Sequence, residues 1–175
     1  MNPGWVRFLH FCVFILLLTG VGCGYRVASK NRLSASYGSI SVKPLLNETT
    51  TYEVEQILTR SLVSEFVQRS NFSVVNDPHR ADLVMEGTIN RVSVSPMTIG
   101  RSGFASTFQV MITVSVALKA RESGETVFRE NNLLFRDQYV INVEVEEFFS
   151  EQNPALGRIA TDFATSVVTT VLEDF

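Results

Sequence analysis

The sequence has 175 residues, of which 15 are lysine or arginine and 18 are aspartate or glutamate, so its formal net charge is −3 at neutral pH. This acidic balance argues against general binding of nucleic acid, which needs a stripe of positive charge. Only two cysteines are present, and Cys12 lies inside the first apolar run, so the composition excludes a fold held by a disulfide framework. The length suits one domain with its own hydrophobic core.

The N-terminal segment is typical of a cleaved export signal. One charged side chain, Arg7, precedes an apolar stretch over residues 8–18 that is broken only by His10. This stretch suits the hydrophobic region of a signal peptide and is too short to span a membrane as a helix. We therefore predict a signal peptide in residues 1–22.

A cysteine follows this stretch directly after small residues. The segment thereby resembles bacterial lipoprotein precursors, whose cysteine receives a diacylglycerol and then a third acyl chain such as palmitate, although Gly20 stands where the usual pattern has leucine. The resemblance implies lipidation of Cys23, and two or three acyl chains hold a protein stably at a bilayer. Because neither Gly24 nor Tyr25 is the aspartate that retains many lipoproteins at the inner membrane, we expect anchoring in the outer membrane, on its periplasmic side. The alternatives are an ordinary cleaved signal and an uncleaved anchor with an incidental cysteine.

Residues 23–38 are polar, and their charged side chains, Arg26, Lys30 and Arg32, are all basic. This composition predicts a lipidated tether that leads to a single domain over residues 39–175. The basic side chains would either contact anionic headgroups or remain solvated.

The first half of the domain predicts a strand, a helix and two more strands. We predict short strands at residues 39–45 and 72–75. We predict a helix at 53–69, because its apolar residues recur at three- and four-residue spacing. In the longer strand 83–95 the apolar positions change from odd to even numbers. A β-bulge near residues 90–91 would keep one face apolar across this change.

The second half begins with a β-hairpin. Residues 96–107 contain proline, glycines and hydroxyl residues and therefore predict the hairpin tip. Strict alternation over residues 108–119 predicts the clearest strand of the chain, and a turn at 121–125 leads to a returning strand at 126–137.

A loop and a helix complete the domain. Residues 138–152, rich in glutamate, predict a crossing loop, and a long helix with one apolar stripe follows Pro154 to the end of the chain. The apolar stripes of the two helices have to be buried, and the inner face of the hairpin strands is large enough to cover them. We therefore predict an α+β fold with two helices packed on one face of a mostly antiparallel four-stranded sheet.

Signals for chemistry are sparse. His79 is the only histidine after the signal segment, and a lone histidine in a loop is far more often solvated than catalytic. No glycine-rich phosphate loop follows a strand, and no cysteine–histidine cluster has metal-binding spacing. Glu144, Glu146 and Glu147 lack the spacing of a calcium loop. We expect no enzymatic activity and no cofactor or metal, and a hydrolase that uses His79 stays as an alternative.

Several short motifs occur along nearly the whole chain after the signal. They are Cys23-Gly24-Tyr25, Val42-Lys43-Pro44, Asn47-Glu48-Thr49, the stretch ADLVMEGTI at 81–89, GETVF at 124–128 and ATDFA at 160–164. In this order the chain resembles the LptE family of lipopolysaccharide-assembly lipoproteins. The resemblance implies a sandwich of two helices and four strands, a role as a plug inside the LptD β-barrel, and contact with lipopolysaccharide.

The implied role sets a requirement on exposed side chains. A plug needs polar sides that match a polar barrel lumen, and phosphorylated lipid A needs arginine or lysine on one exposed face. Among the basic residues of the hairpin strands we select Arg91, at the expected bulge, and Arg101, at the tip, as candidates for lipopolysaccharide contact; the alternative is that both are ordinary solvated arginines. The alternative function is that of an accessory binding lipoprotein in another envelope machine, such as a secretion channel or a peptidoglycan synthase.

Overall fold

The computed structural model describes residues 36–99, 105–140 and 148–173. The predicted signal peptide, nearly all of the tether, Cys23 and Arg101 lie outside the described residues. No helix within these ranges is long and apolar enough to cross a bilayer.

The described residues form an α+β fold of two helices and one mixed sheet. In chain order the elements are β1 (Ser39–Val42), β2 (Leu46–Asn47), α1 (Val54–Arg69), β3 (Ser73–Val74), a 3-10 turn (Pro78–Arg80), β4 (Leu83–Ile99), β5 (Ala105–Ala120), β6 (Thr126–Val140) and α2 (Phe148–Glu173).

Within the described residues the sheet contains six strands, so the predicted number of four is wrong. Three long strands pair antiparallel in the order β4, β5, β6, as predicted, but three short strands join them by parallel pairing. The predicted first strand, 39–45, ends at Val42, and a second short strand that was not predicted follows Pro44: Ile40 of β1 pairs with Leu83, and Leu46 of β2 pairs with Thr88. A proline has no N–H to donate to a sheet, which explains the break between the two short strands. The helix α1 then connects β1 to β3, and such a crossover is what parallel pairing requires.

Three predicted boundaries are also wrong. The predicted tip at 96–107 is shorter, because β4 continues to Ile99 and β5 begins at Ala105. The predicted loop at 138–152 is shorter at both ends, since β6 continues to Val140 and α2 begins at Phe148. Pro154 lies inside α2 rather than before it, at the cost of one backbone hydrogen bond of the second turn.

The two helices cover one face of the sheet and bury its apolar side chains, as the sequence predicts. The buried residues of α1 are Val54, Leu58, Leu62 and Phe66. Those of α2 include Ile159, Ala160, Phe163, Ala164, Val167, Val168 and Val171. Phe163 meets Phe135 of β6 edge to face, with ring centroids 5.6 Å apart, and Arg158 of α2 binds the carboxylate of Asp137 on the same strand. The sheet, together with both helices, therefore forms one continuous core.

A β-bulge lies where the sequence predicts it, and a second lies beside it. The pairing of β4 with β5 shifts between Ile89 and Arg91, which leaves Asn90 as an extra residue. The pairing of β5 with β6 shifts at the same height, where Asn132 has a left-handed φ of 56°. The hydroxyl of Ser115 on β5 links the two bulges: it donates to Asn90 Oδ1 at 2.8 Å and accepts from the Asn132 N–H at 3.3 Å.

Asp82 fixes the start of the domain. One oxygen of its carboxylate, Oδ2, accepts hydrogen bonds from the backbone N–H groups of Gly38 and Ser39, both at 2.9 Å, and from the Ser39 hydroxyl at 2.8 Å. These bonds, led by that of the Ser39 side chain, lower the pKa of Asp82 below its usual value. Gly38 and Ser39, at the start of the described sheet, are therefore held beside the first residues of β4, at the end opposite the hairpin tip.

Candidate functional site

The face of the sheet opposite the helices is open and basic. Side chains along a strand point alternately to the two faces of a sheet. A residue of β4 or β6 therefore lies on the open face when it pairs with a residue of β5 whose side chain points away from the helices. On the described strands its basic residues are Arg91, Lys119, Arg129 and Arg136, and its one carboxylate is that of Glu86; Lys43 directly follows β1 and reaches Glu86. The open face is therefore strongly positive although the whole chain has a net charge of −3.

A cleft of about 360 Å³ lies in this face at the height of Glu86. Basic side chains from three strands line it: Lys43 follows β1, Lys119 belongs to β5 and Arg129 belongs to β6. Its rim includes the apolar side chain of Leu46, which is 59% exposed. We call this site the basic cleft.

Glu86 bridges the two lysines of the basic cleft. Its Oε1 lies 2.6 Å from Lys43 Nζ and its Oε2 lies 2.6 Å from Lys119 Nζ. The bonds from Lys119 and then Lys43 lower the pKa of Glu86, so its carboxylate stays ionised at neutral pH. No carboxylate of the described residues forms an ion pair with Arg129. Because three cations face one carboxylate, the basic cleft keeps an excess of positive charge.

Gly87 positions the rim of the basic cleft. A Cβ at this residue would lie 2.6 Å from Leu45 Cδ2 and 2.9 Å from the Ser115 carbonyl oxygen. Glycine thus lets the buried side chain of Leu45 approach β4 closely, and this contact holds Leu46 at the rim.

The sequence-predicted contact residues do not line the basic cleft. Arg91 is exposed and lies on the same face, paired with Thr113, which is two residues along β5 from Ser115; Ser115 does line the cleft. Arg101 lies outside the described residues, as does the lipidation site Cys23. Sequence reasoning recognised Lys119 and Arg129 only as basic residues of the hairpin strands and gave Lys43 no role. The register of β4 against β5, which places Glu86 within reach of Lys119, is the signal that could have found the site.

The described residues contain no cluster of side chains suited to a metal ion. His79 is exposed on the 3-10 turn, where its backbone N–H donates to Asp77 Oδ1 at 2.9 Å. The chemistry that the described geometry does offer is that of the basic cleft, whose ammonium and guanidinium groups suit an anionic group.

Solved structures share the fold at low sequence identity. Lipoprotein B from Nitrosomonas europaea is 10% identical, with a TM-score of 0.53 over 78% of this chain and 83% of that one. PelC from Paraburkholderia phytofirmans, solved as a dodecamer, is 14% identical, with a TM-score of 0.52 over 79% and 89%. The hypothetical protein CT253 from Chlamydia trachomatis is 9% identical, with a TM-score of 0.53 over 77% and 95%. No curated protein matches the sequence.

Fold and site together define an α+β domain whose sheet has one face packed by two helices and one face open. The family model described as LptE, lipopolysaccharide-assembly, matches residues 37–171, which is most of the chain. The chain therefore belongs to the LptE family, and the resemblance seen in the sequence motifs is confirmed. The family is non-enzymatic and acts in lipopolysaccharide assembly at the outer membrane, so the alternative of a hydrolase that uses His79 is wrong.

Proposed function

We propose that this protein is an outer-membrane lipoprotein, anchored through Cys23 on the periplasmic side, that serves as plug and assembly partner of an LptD-type β-barrel. We also propose that it contacts lipopolysaccharide at the basic cleft. The observation that carries the second proposal is the meeting of Lys43, Lys119 and Arg129 in one cleft.

The chemistry of the basic cleft suits a phosphorylated amphiphile. Lysine and arginine form charge-assisted hydrogen bonds with phosphate oxygens, which are stronger than neutral ones. The exposed side chain of Leu46 offers apolar surface at the rim for the first part of an acyl chain. Further along the open face Leu134 and Val140 are both more than half exposed. Charge and apolar surface therefore occur on one face in the combination that lipid A carries.

The distribution of charge also removes an objection to this ligand. A net negative protein repels a polyanion at long range. Here the carboxylates of the described helices, such as Glu55, Glu65 and Asp162, lie in the layer behind the sheet, whereas the open face is basic. An anionic ligand that approaches the open face meets positive charge first.

The shape and polarity of the open face support the role of a plug. With 16 residues, β5 is about 50 Å long at the usual rise per residue. Its outward side chains include Gln109, Thr113 and Ser115, which can form hydrogen bonds with the polar side chains that line a barrel lumen.

Binding to purified lipopolysaccharide tests the site. The double variant Lys119→Ala/Arg129→Ala of the mature lipoprotein in detergent should bind at least about tenfold more weakly, since each charged hydrogen bond contributes about 1.5–3 kcal/mol. Arg60→Ala, on the exposed side of α1, is the matched control and should bind like the wild type. Equal binding by wild type and double variant would refute the proposed site, as would an equal loss in Arg60→Ala.

A second variant should change the affinity in the opposite direction. Glu86→Gln removes the carboxylate that bridges Lys43 and Lys119 and leaves both ammonium groups available to phosphate. We expect tighter binding by about two- to tenfold, with the gain reduced at high salt. Weaker binding by Glu86→Gln would mean that the bridge itself, rather than the lysine charges, forms the site.

Co-purification tests the partner. A tagged LptD-type barrel co-expressed with the full chain and extracted from outer membranes should retain the lipoprotein, and Cys23→Ala should abolish its lipidation in the mass spectrum. Recovery of the lipoprotein with a secretion channel or a peptidoglycan synthase instead would support the alternative function.

A further inference from the structure

The loop between β2 and α1 is held by a single asparagine. The Asn47 side chain uses both of its ends: Nδ2 donates to the Thr51 carbonyl oxygen and to Glu55 Oε2, each at 2.8 Å. Its Oδ1 accepts from the Thr49 backbone N–H at 3.0 Å and from the Thr49 hydroxyl at 2.7 Å. We call residues 47–53 the Asn47 loop. These bonds give the loop one defined conformation although it lies on the surface.

This ordered loop exposes a large aromatic side chain. Tyr52 is 91% exposed, the highest fraction among the exposed large hydrophobic residues of the described chain. The next residue, Glu53, adopts a left-handed φ of 63°, a conformation that is unfavourable for a residue with a Cβ. Tyrosine is enriched among the residues that dominate protein interfaces, and a loop that is already ordered loses little entropy on binding.

The surroundings indicate what kind of surface would receive Tyr52. Every ionisable group near Tyr52 in the sequence is acidic: Glu48, Glu53 and Glu55 lie within four residues, and no lysine or arginine does. Leu46, which lies at the rim of the basic cleft, directly precedes Asn47. A partner that covers the loop would therefore also reach the edge of the basic cleft.

We infer that the Asn47 loop is a docking element whose Tyr52 inserts into an apolar pocket, rimmed by basic side chains, on the β-barrel partner. This inference rests on the proposed function for the identity of the partner and adds the element of this chain that contacts it. The Asn47 loop lies beside the basic cleft, so the surface that contacts the barrel would adjoin the surface that contacts lipopolysaccharide.

Photo-crosslinking tests the contact in cells. The full chain is co-expressed with a tagged LptD-type barrel, and benzoylphenylalanine replaces Tyr52 in one culture and Val67 in another. Val67 is a matched control because it is 62% exposed on α1 and has no acidic loop around it. A crosslink to the barrel from position 52 and none from position 67 supports the inference; no crosslink from position 52, or equal crosslinks from both, overturns it.

Retention on the tagged barrel gives an independent measure. Tyr52→Ala should reduce the retained lipoprotein at least about fivefold, while its melting temperature stays that of the wild type because the side chain is solvent-exposed. Val67→Ala should be retained fully. If the wild type is retained and Tyr52→Ala is retained equally, this inference is wrong and the proposed function stands. If the wild type itself is not retained, the proposed barrel partnership fails and the inference fails with it.

Discussion

The two faces of the sheet differ in almost every physical property. The inner face is apolar, covered by α1 and α2, and contains side chains with no solvent exposure, such as Ile112 and Leu118. The outer face is open, carries most of its charge as lysine and arginine, and contains the basic cleft. The difference teaches that stability and recognition are assigned to opposite sides of the same strands. Substitutions on the two faces should therefore have separable effects.

The largest expected effect is the loss of a core aromatic ring. Phe163→Ala removes a fully buried side chain that packs against Phe135, and it should lower the free energy of unfolding by about 3–5 kcal/mol. Leu134→Ala on the outer face removes a side chain that is 56% exposed and should cost about 1 kcal/mol or less. Urea denaturation of both variants checks the contrast. An equal decrease in the free energy of unfolding for both variants would show that the outer face contributes as much to stability as the core.

A smaller effect should arise where a core contact shapes the outer face. Gly87→Ala forces a Cβ against Leu45 and the Ser115 carbonyl and should cost about 1–3 kcal/mol, because backbone has to move. Gly157→Ala in α2, where a Cβ meets nothing within 4 Å, should instead stabilise by about 0.5–1 kcal/mol. Thermal unfolding of the pair measures the difference. A stable Gly87→Ala protein would mean that Leu45 and the cleft rim tolerate displacement.

The smallest effect concerns the start of the domain, where both faces end. Asp82→Asn weakens the hydrogen bonds to Gly38 and Ser39 and should cost about 1 kcal/mol at neutral pH. Because folding lowers the pKa of Asp82, its carboxylate contributes stability above the unfolded value near 3.8 and loses that contribution as the pH falls through the folded pKa. The difference between wild type and Asp82→Asn should thus shrink as the pH falls below 3.8 and through the lower pKa of the folded protein. A difference that grows on acidification would contradict this account.

Much of the inner face could be predicted from the sequence because periodicity reports burial directly. The stripe through Leu58, Leu62 and Phe66 identified α1, and strict alternation identified β5. The change from odd to even apolar positions located the bulge at Asn90. The short strands β1 and β3 lie within predicted strands, but β2 escaped prediction, because a strand of two residues is too short to show a period.

The sequence predicted the chemical type of the site but not the residues that form it. Sequence reasoning expected basic side chains on one exposed face, and the open face has them. It selected Arg91, which pairs with Thr113, because of the bulge. The basic cleft is formed further along β5, around Ala117 and Lys119, by Lys43, Lys119 and Arg129. Convergence of three strands depends on register, and register is set by pairings that no single strand reveals. Arg101 and Cys23 stay predictions.

The bulges on either side of Ser115 have a consequence for comparing relatives of this chain. Each extra residue reverses which numbered positions of its strand point outward, and β5 between them undergoes no reversal. A relative that lacks the residue equivalent to Asn90 would turn Arg91 toward the helices and Val92 toward solvent unless its hydrophobic pattern moved by one place as well. In a sequence alignment, the position of the gap opposite Asn90 therefore decides which side chains of distant family members are compared as lying on the open face.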